Sequence, residues 1–406
     1  MAKFTPEILS KIAFKTEEPC VVRNFEVPWK CLGSDLTEWC EIFDEIHPQG
    51  VVFEKASQMH GQVPQWEYFR EKTPKTTLKD FLSFSESEES NNSWLSYSYK
   101  SLRDLPGKIR EEIDFSPLGF PEIKDDITLW LGSKGAHTPC HYDTYGRNIV
   151  IQVYGHKRWI LFSPEANLQA TRIPFEESSV YSSLNFFSPQ HLSQFDGISD
   201  QAHIVTLNPG DVLIVPPKWW HYVENLETAL TLNAWIPIEE DTDAQIRECF
   251  TKSIIFNFLR DVDSSLRKFL VYPNEMDIFD MDPIDFTKLH LEVLKHLRNV
   301  RKSIPNPNLN KNILSNEEWT DLLSKNSSIE IIKRTSKQEF LKILDKNSND
   351  RFLSSWQFQQ FDESKQLLID ELTEFINSLC DIEATDRMKQ RYLGPSAATF
   401  SSTTTL

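Results

Sequence analysis

Hydrophobic spacing changes character twice along this chain. Up to about residue 100 the pattern is mixed. FTPEILSKIA, LTEWCEIFDEIH and TTLKDFLSF repeat apolar residues at three and four, which predicts amphipathic helices. Thr5-Pro6 opens the first, and Thr76 or Thr77 caps the third. EPCVVRNFEVPW and VVFEKA predict short strands, and FSESEESNNS a polar loop. WLSYSYK alternates bulky and small residues, as a strand with one buried face would. Three prolines break residues 101–126 into short turns and helical pieces.

From Ile127 the period becomes two, or the apolar run continuous. ITLWLGS, NIVIQVYG, KRWILF, HIVTL, DVLIVPP and TALTLNAWI read as short strands at a spacing that implies a sandwich or barrel. Tyr154-Gly155-His156 is expected to close a hairpin, and Asn208-Pro209-Gly210-Asp211 to make a tight turn. A long insertion from Ser163 to Ala202 interrupts the strands, and a substrate-facing or gating loop is expected there. After Pro237 helical spacing returns in DTDAQIRECFTKSIIFNFLRDV, FTKLHLEVLKHLRNV, SKQEFLKIL and ESKQLLIDELTEFINSL, with IPNPNLNKN and KNSSIE as loops. The expected organisation is therefore N-terminal α/β elements over residues 1–100 packing on a mostly β core over 101–240. A helical region over 241–392 and a disordered tail over 393–406 follow.

Composition narrows the classes. Aromatic content of 12% and hydrophobic content of 39% suit a sizeable core. A formal net charge of -17 disfavours nucleic acid and anionic membranes as partners. No apolar run approaches the roughly 20 residues of a spanning helix. The six cysteines are scattered with no CxxC, and the start lacks an apolar signal region, so reduced thiols and a cytoplasmic or nuclear location are expected.

The chemistry lies in HTPCHYD, His137 to Asp143, and in WWH, Trp219 to His221. Residues two apart on a strand share a face, so His141 and Asp143 project together. His221 ends a second apolar segment behind a Pro-Pro turn. Two imidazoles and one carboxylate are the facial set of non-haem Fe(II) oxygenases, which leaves coordination positions open. Chance alone supplies roughly one or two His-x-acid triplets in a chain of this composition. The second triplet, His290-x-Glu292, falls in a helical stretch where two apart means different faces, and is read as a decoy. The bland reading of His221 is a core histidine between aromatics. Pro139 interrupts the path from His137 to His141, so His137 is taken as a neighbour rather than a ligand. Fe(II) in such a set suits the anionic bidentate 2-oxoglutarate, whose distal carboxylate needs a cation and a hydroxyl. Lys157 can point inward and Thr138 can add the hydroxyl, although a hairpin-end lysine in water is the commoner case. Asn148 and Asn233 sit in apolar strands and must find hydrogen-bond partners, in the lumen or at a bulge or edge.

These segments together resemble the JmjC oxygenases, most closely their small cupin-like hydroxylase branch. The resemblance rests on H-T-P-x-H-x-D, N-x-x-x-Q-x-x-G-x-K-R-W-x-L-F-x-P, G-D-x-L-x-x-P-x-x-W-W-H and N-x-W, over residues 127–240. It implies a double-stranded β-helix, or jelly roll, with iron held by His141, Asp143 and His221. It also implies 2-oxoglutarate held through Lys157 and Thr138, with Asn148 and Asn233 beside the metal. The family adds a tyrosine to the distal carboxylate, for which WLSYSYK offers Tyr97 or Tyr99. The activity implied is hydroxylation of a protein side chain, with lysine demethylation as the same chemistry on an N-methyl group. GAHTPCHYD, TRIPFEESSV and WWHYVE are similar to a family member that associates with a small heat shock protein, so a chaperone-binding role with little turnover is the rival reading. In the hydroxylase branch, C-terminal helices imply a homodimer.

Overall fold

The computed structural model describes residues 5–26, 29, 36–59, 70–124, 126–170, 179–238, 240–263, 281–303 and 314–351. The strands are β1 (Cys20–Val22), β2 (Glu54–Ser57), β3 (Glu71–Lys72), β4 (Ser93–Ser101), β5 (Ile127–Gly132), β6 (His137–Asp143) and β7 (Arg147–Tyr154), followed by β8 (Lys157–Phe162), β9 (Ser179–Tyr181), β10 (His203–Leu207), β11 (Val212–Val215), β12 (Trp220–Asn225), β13 (Ala229–Ile236) and β14 (Ile329–Ile331). The helices are α1 (Pro6–Lys15), α2 (Leu36–Ile46), α3 (Leu78–Glu86), α4 (Gly107–Glu112), α5 (Asp241–Leu259), α6 (Pro283–Ser303), α7 (Asn316–Lys325) and α8 (Lys337–Arg351).

The strands form two antiparallel sheets. The larger runs β14-β1-β11-β7-β13-β5-β4-β2-β3. The smaller runs β10-β8-β12-β6, and Ser182 N–H donates to the Cys140 carbonyl beyond β6. This is the expected jelly roll with helical additions. Consecutive strands switch sheets: β7 lies in the larger sheet and β8 in the smaller. Tyr154-Gly155-His156 is thus a corner between sheets rather than the expected hairpin. Gly155 takes φ +63°, and a Cβ there would meet the Thr228 carbonyl oxygen at 2.1 Å, so glycine is required. The Asn208–Asp211 turn forms as expected, with Asp211 N–H donating to the Asn208 carbonyl, and it too joins the two sheets.

Strand alternation divides the larger sheet into two chemistries. Ile127, Leu129, Leu131, Ile149, Ile151, Leu230, Leu232, Val212 and Ile214 face outward and are buried against Leu9, Ile12, Trp39, Phe43 and Phe81 of α1 to α3. The predicted cap of α3 resolves to Thr77, whose hydroxyl accepts from Asp80 N–H. The opposite residues, among them Thr128, Trp130, Asn148, Gln152, Thr231, Asn233 and Trp235, face the other sheet. A polar row in an otherwise apolar sheet lines a lumen, where its members bond one another and groups across the gap.

Contacts divide the chain into two compact units. Of the described residues, one holds those up to 170, 181–237 and 314–351; the other holds 179–180, 238, 240–263 and 281–303. In the second, α5 and α6 meet through stacked Phe256 and Phe286 rings, 4.0 Å apart. The helical reading from 241 onward needs one correction. Ile329 and Glu330, at the end of the expected KNSSIE loop, form with Ile331 a strand that pairs with β1 and extends the larger sheet. Its three residues are too few for periodicity to register, and the pairing is long-range. The helix expected over ESKQLLIDELTEFINSL, the loop IPNPNLNKN and the tail over 393–406 lie outside the described residues.

The insertion also departs from a simple gating loop where it is described. Phe186, Phe187 and Phe195 are fully buried on the outer side of the smaller sheet. Phe186 stacks on Tyr222 and joins Phe162, Phe195 and Phe340 in one aromatic cluster. Helix α8 closes that cluster. Asn347 donates to the Phe186 carbonyl at 2.8 Å, and Arg351 pairs with the buried Glu224, which also accepts from Tyr222.

Candidate metal centre

His141 and His221 face each other across the β6–β12 ladder, where they are direct partners. Their rings are 4.2 Å apart. Asp143, two residues beyond His141, completes the group: one ligand atom from each lies within 4.8 Å of the others, and all three are buried. Among the described residues this is the cluster of three that could hold a metal ion. Glu292, the acid of the decoy triplet, is on α6 paired to Lys295, and His290 is bonded to its own helix.

Each imidazole is fixed by its own strand. His141 Nδ1 bonds the Pro139 carbonyl at 2.8 Å, and His221 Nδ1 bonds the Trp219 carbonyl at 3.0 Å. A carbonyl only accepts, so Nδ1 carries the proton and Nε2 is the atom turned to Asp143. The Nε2 to carboxylate distances are 3.6 Å for His141 and 3.8 Å for His221. Burial first, and the neighbouring His221 second, push the His141 pKa down to about 4, so this ring is a neutral donor at ordinary pH. The ring faces are held as well: Tyr181 stacks on His141 and Trp159 on His221.

A chain of side-chain bonds sets the carboxylate. Trp130 Nε1 donates to Asn233 Oδ1 at 2.7 Å, Asn233 Nδ2 to Asn148 Oδ1 at 2.9 Å, and Asn148 Nδ2 to Asp143 Oδ2 at 3.2 Å. Trp235 Nε1 donates to the same Oδ2 at 2.9 Å. Both predicted asparagines therefore lie in the lumen and act on Asp143. The two indoles were missed. Their signal was the alternation Thr231-x-Asn233-x-Trp235 on one strand face, with Trp130 opposite Thr231 on the next strand.

Thr138 reaches this face through an irregularity. His221 pairs with His141 but Val223 pairs with Thr138, so β6 carries one extra residue at Pro139-Cys140. A bulge re-phases the alternation. Val223 shares the face of His221, hence Thr138 shares the face of His141, although the two are three apart. Proline suits this position, because a bulged residue need not donate to the ladder.

Lys157 is buried at the inner end of β8. Its Nζ donates to Thr231 Oγ1 at 2.8 Å and more weakly to the Trp130 carbonyl at 3.4 Å. Among the described residues no carboxylate pairs with it, and burial lowers its pKa to about 7. Thr231 was not anticipated from the sequence. The two tyrosines separate cleanly. Tyr97 is buried in the outer core against Phe43 and Phe53. A register shift follows it in β4, Tyr99 takes φ +60°, and its ring packs on Trp130 and Trp235. Tyr99 is thus the one on the lumen side.

The donor set fits Fe(II), and an unpaired buried ammonium in the same lumen fits an anionic cosubstrate. The description of the matching family model is a cupin-like domain, over residues 6–241. The chain belongs to that cupin-like family. It is 36% identical over 270 residues to the bovine protein called HSPB1-associated protein 1, a match that covers 62% of this chain and 55% of the relative. The Drosophila melanogaster Jumonji C domain-containing protein 5 is 26% identical over 182 residues, covering 39% of this chain and 41% of its own. The Arabidopsis thaliana protein named lysine-specific demethylase JMJ30 is 30% identical over 156 residues, covering 35% of this chain and 34% of its own. The match thus spans little more than half the length of the bovine relative. No helix among the described residues is long and apolar enough to cross a membrane.

Proposed function

We propose that this chain is an Fe(II)- and 2-oxoglutarate-dependent dioxygenase that hydroxylates a side chain of a protein. The observation that carries the reading is one lumen holding both halves of the requirement: a fixed His-Asp-His group and, on a neighbouring strand, a buried lysine without a counter-charge. When bound, iron and 2-oxoglutarate supply oxidative decarboxylation to succinate and CO2, with one oxygen atom of O2 going to succinate and the other into a C–H bond. His141, Asp143 and His221 would hold the metal. Lys157 and Thr231, with Thr138 facing the same lumen, would receive the distal carboxylate. Asn148, Asn233, Trp130 and Trp235 orient Asp143. The apolar lumen residues Val150, Trp159, Leu161, Leu213 and Val223 keep water away from the reacting end.

The name of the Arabidopsis relative supports demethylation as the variant outcome, and the name of the bovine relative supports a small heat shock protein as partner, with or without turnover. Purified protein supplied with Fe(II), ascorbate and 2-oxoglutarate should release succinate above the rate of a His141→Ala/Asp143→Ala double variant, and faster with the small heat shock protein added. Equal rates in the two proteins under both conditions count against the oxygenase reading and leave the binding reading.

A further inference from the structure

The indoles around the lumen are satisfied with one exception. Trp130 donates to Asn233, Trp235 to Asp143, and Trp219 to the Glu17 carbonyl at 3.1 Å. Trp159 Nε1 is buried with no partner. Buried indoles ordinarily find an acceptor, and one left without loses its hydration for nothing in return. The other orphan indole among the described residues, Trp94, lies edge-on to His137 under the Arg70 guanidinium and has a cation at its ring.

The position of Trp159 says what kind of acceptor is wanted. It is two residues beyond Lys157 on β8, so both side chains leave the strand on the same face. Its ring lies against His221, 5.5 Å between centroids and 28° from parallel. Its strand partners are Val205 and Val223, which offer no acceptor side chain. An unpaired cation and an unpaired N–H donor, adjacent on one wall and ending beside a metal-ligand ring, are together complementary to an anion rich in acceptors.

We propose that Trp159 Nε1–H is a further binding donor for the carboxylate-bearing cosubstrate, adding a directed hydrogen bond to the charge of Lys157. The same ring, packed on His221, lines the side of that site next to the candidate metal ligands. This rests on the oxygenase reading above.

The test uses full-length protein labelled with 15N at tryptophan indole nitrogens, loaded with Zn(II), and titrated with N-oxalylglycine, an unreactive analogue of 2-oxoglutarate. Loss of one indole resonance in Trp159→Phe assigns the signal. That signal should move downfield on titration in the wild type. In Trp159→Phe the analogue should bind about tenfold more weakly or worse, as for a lost hydrogen bond to a charged acceptor. Zn(II) affinity should fall far less than affinity for the analogue, because phenylalanine keeps a ring against His221. An assigned resonance that stays in place while the Trp130 or Trp235 signals report binding would overturn the role of Trp159 and leave the oxygenase reading standing. No response of any lumen indole, with no gain in melting temperature, would sink the cosubstrate reading itself and this inference with it. If Trp159→Phe does not fold, the wild-type titration still decides, with the signal assigned from its proximity to His221 by nuclear Overhauser contacts.

Discussion

Asn148 Nδ2 donates to Asp143 Oδ2 across the lumen, linking a strand of the larger sheet to the strand of the smaller one that carries His141 and Asp143. The asparagine is itself held by Asn233, so the carboxylate is set by residues from two further strands. Removing Asn148 leaves Asp143 with only the Trp235 bond on Oδ2 and leaves Asn233 Nδ2 without its acceptor. Asn148→Ala should weaken Mn(II) binding about 10-fold or more, in the range found when outer partners of metal ligands are lost. Titration of the free ion by electron paramagnetic resonance measures it. Unchanged affinity would mean that Asp143 holds its position without the relay.

That relay also shows what a sequence can and cannot disclose. His141, Asp143 and His221 were legible because strand periodicity fixes which residues share a face, and the motif supplied their pairing. Asn148, Asn233 and Lys157 were legible as polar residues in apolar strands. That Thr138 faces the lumen depends on a bulge that moves one residue out of phase, and the choice between Tyr97 and Tyr99 on another, in β4. Bulges are set by tertiary pairing and leave no periodic trace. Thr231 and Trp159 read as ordinary strand residues, since threonine and tryptophan are common there. Ile329–Ile331 is a strand only because β1 offers an unpaired edge more than three hundred residues earlier.

Lys157 should make the ligand-free protein pH-dependent. An unfolded lysine holds its proton up to about 10.5, whereas burial lowers the folded value to about 7. Between these values the unfolded chain binds more protons, so this group's penalty is full below pH 7 and is released as pH rises toward 10.5. A dicarboxylate beside Nζ restores the charge. Binding of N-oxalylglycine at pH 8 should therefore take up close to one proton, and at pH 6 none, as read by calorimetry in two buffers of different ionisation enthalpy. Lys157→Met should raise the melting temperature of the ligand-free protein and abolish the stabilisation by the analogue. No proton uptake at pH 8 would mean that the ammonium is not the group that meets the carboxylate.

Metal removal should expose His141 in the same way at lower pH. Its folded value is pushed down to about 4 from 6.5, so the unfolded chain binds more protons across that window and stability falls as pH is lowered through it. Urea unfolding in chelator from pH 7 to 4 should show this loss, smaller in His141→Gln. At pH 7, Mn(II) in excess over its dissociation constant should raise the wild-type melting temperature by mass action and leave that of the variant nearly unchanged. Equal metal stabilisation of both would remove His141 from the site.

Arg351 lies far from the chemistry in sequence, yet it is the counter-ion of Glu224, a buried residue three beyond His221 on β12. Its guanidinium also lies 4.1 Å over the Phe187 ring. Arg351→Met leaves a carboxylate buried with only the Tyr222 hydroxyl, which should cost about 3–5 kcal/mol. The Glu224→Gln/Arg351→Met pair buries no unpaired charge and should recover much of that loss in chemical denaturation. If the double variant is as unstable as the single, lost packing of α8 is the cause and the charge is not.

Tyr97 and Tyr99 should separate stability from binding. Tyr97 is buried among Phe43, Phe53 and Leu95, and its replacement by alanine should cost about 3–5 kcal/mol, as for other large aromatics in cores. Tyr99 is 59% exposed at a left-handed backbone position, where its ring supports Trp130 and Trp235 and, through them, the bonds to Asn233 and Asp143. Tyr99→Gly relieves the backbone and removes the ring. It should leave the melting temperature of the ligand-free protein within a few degrees of wild type while weakening N-oxalylglycine binding several-fold. The reverse assignment would show as Tyr97→Phe, which keeps the ring and removes only the hydroxyl, weakening the analogue while Tyr99→Gly does not. That result would place the outer-core tyrosine against the ligand and require β4 to pair with β5 in a different register from the one seen here.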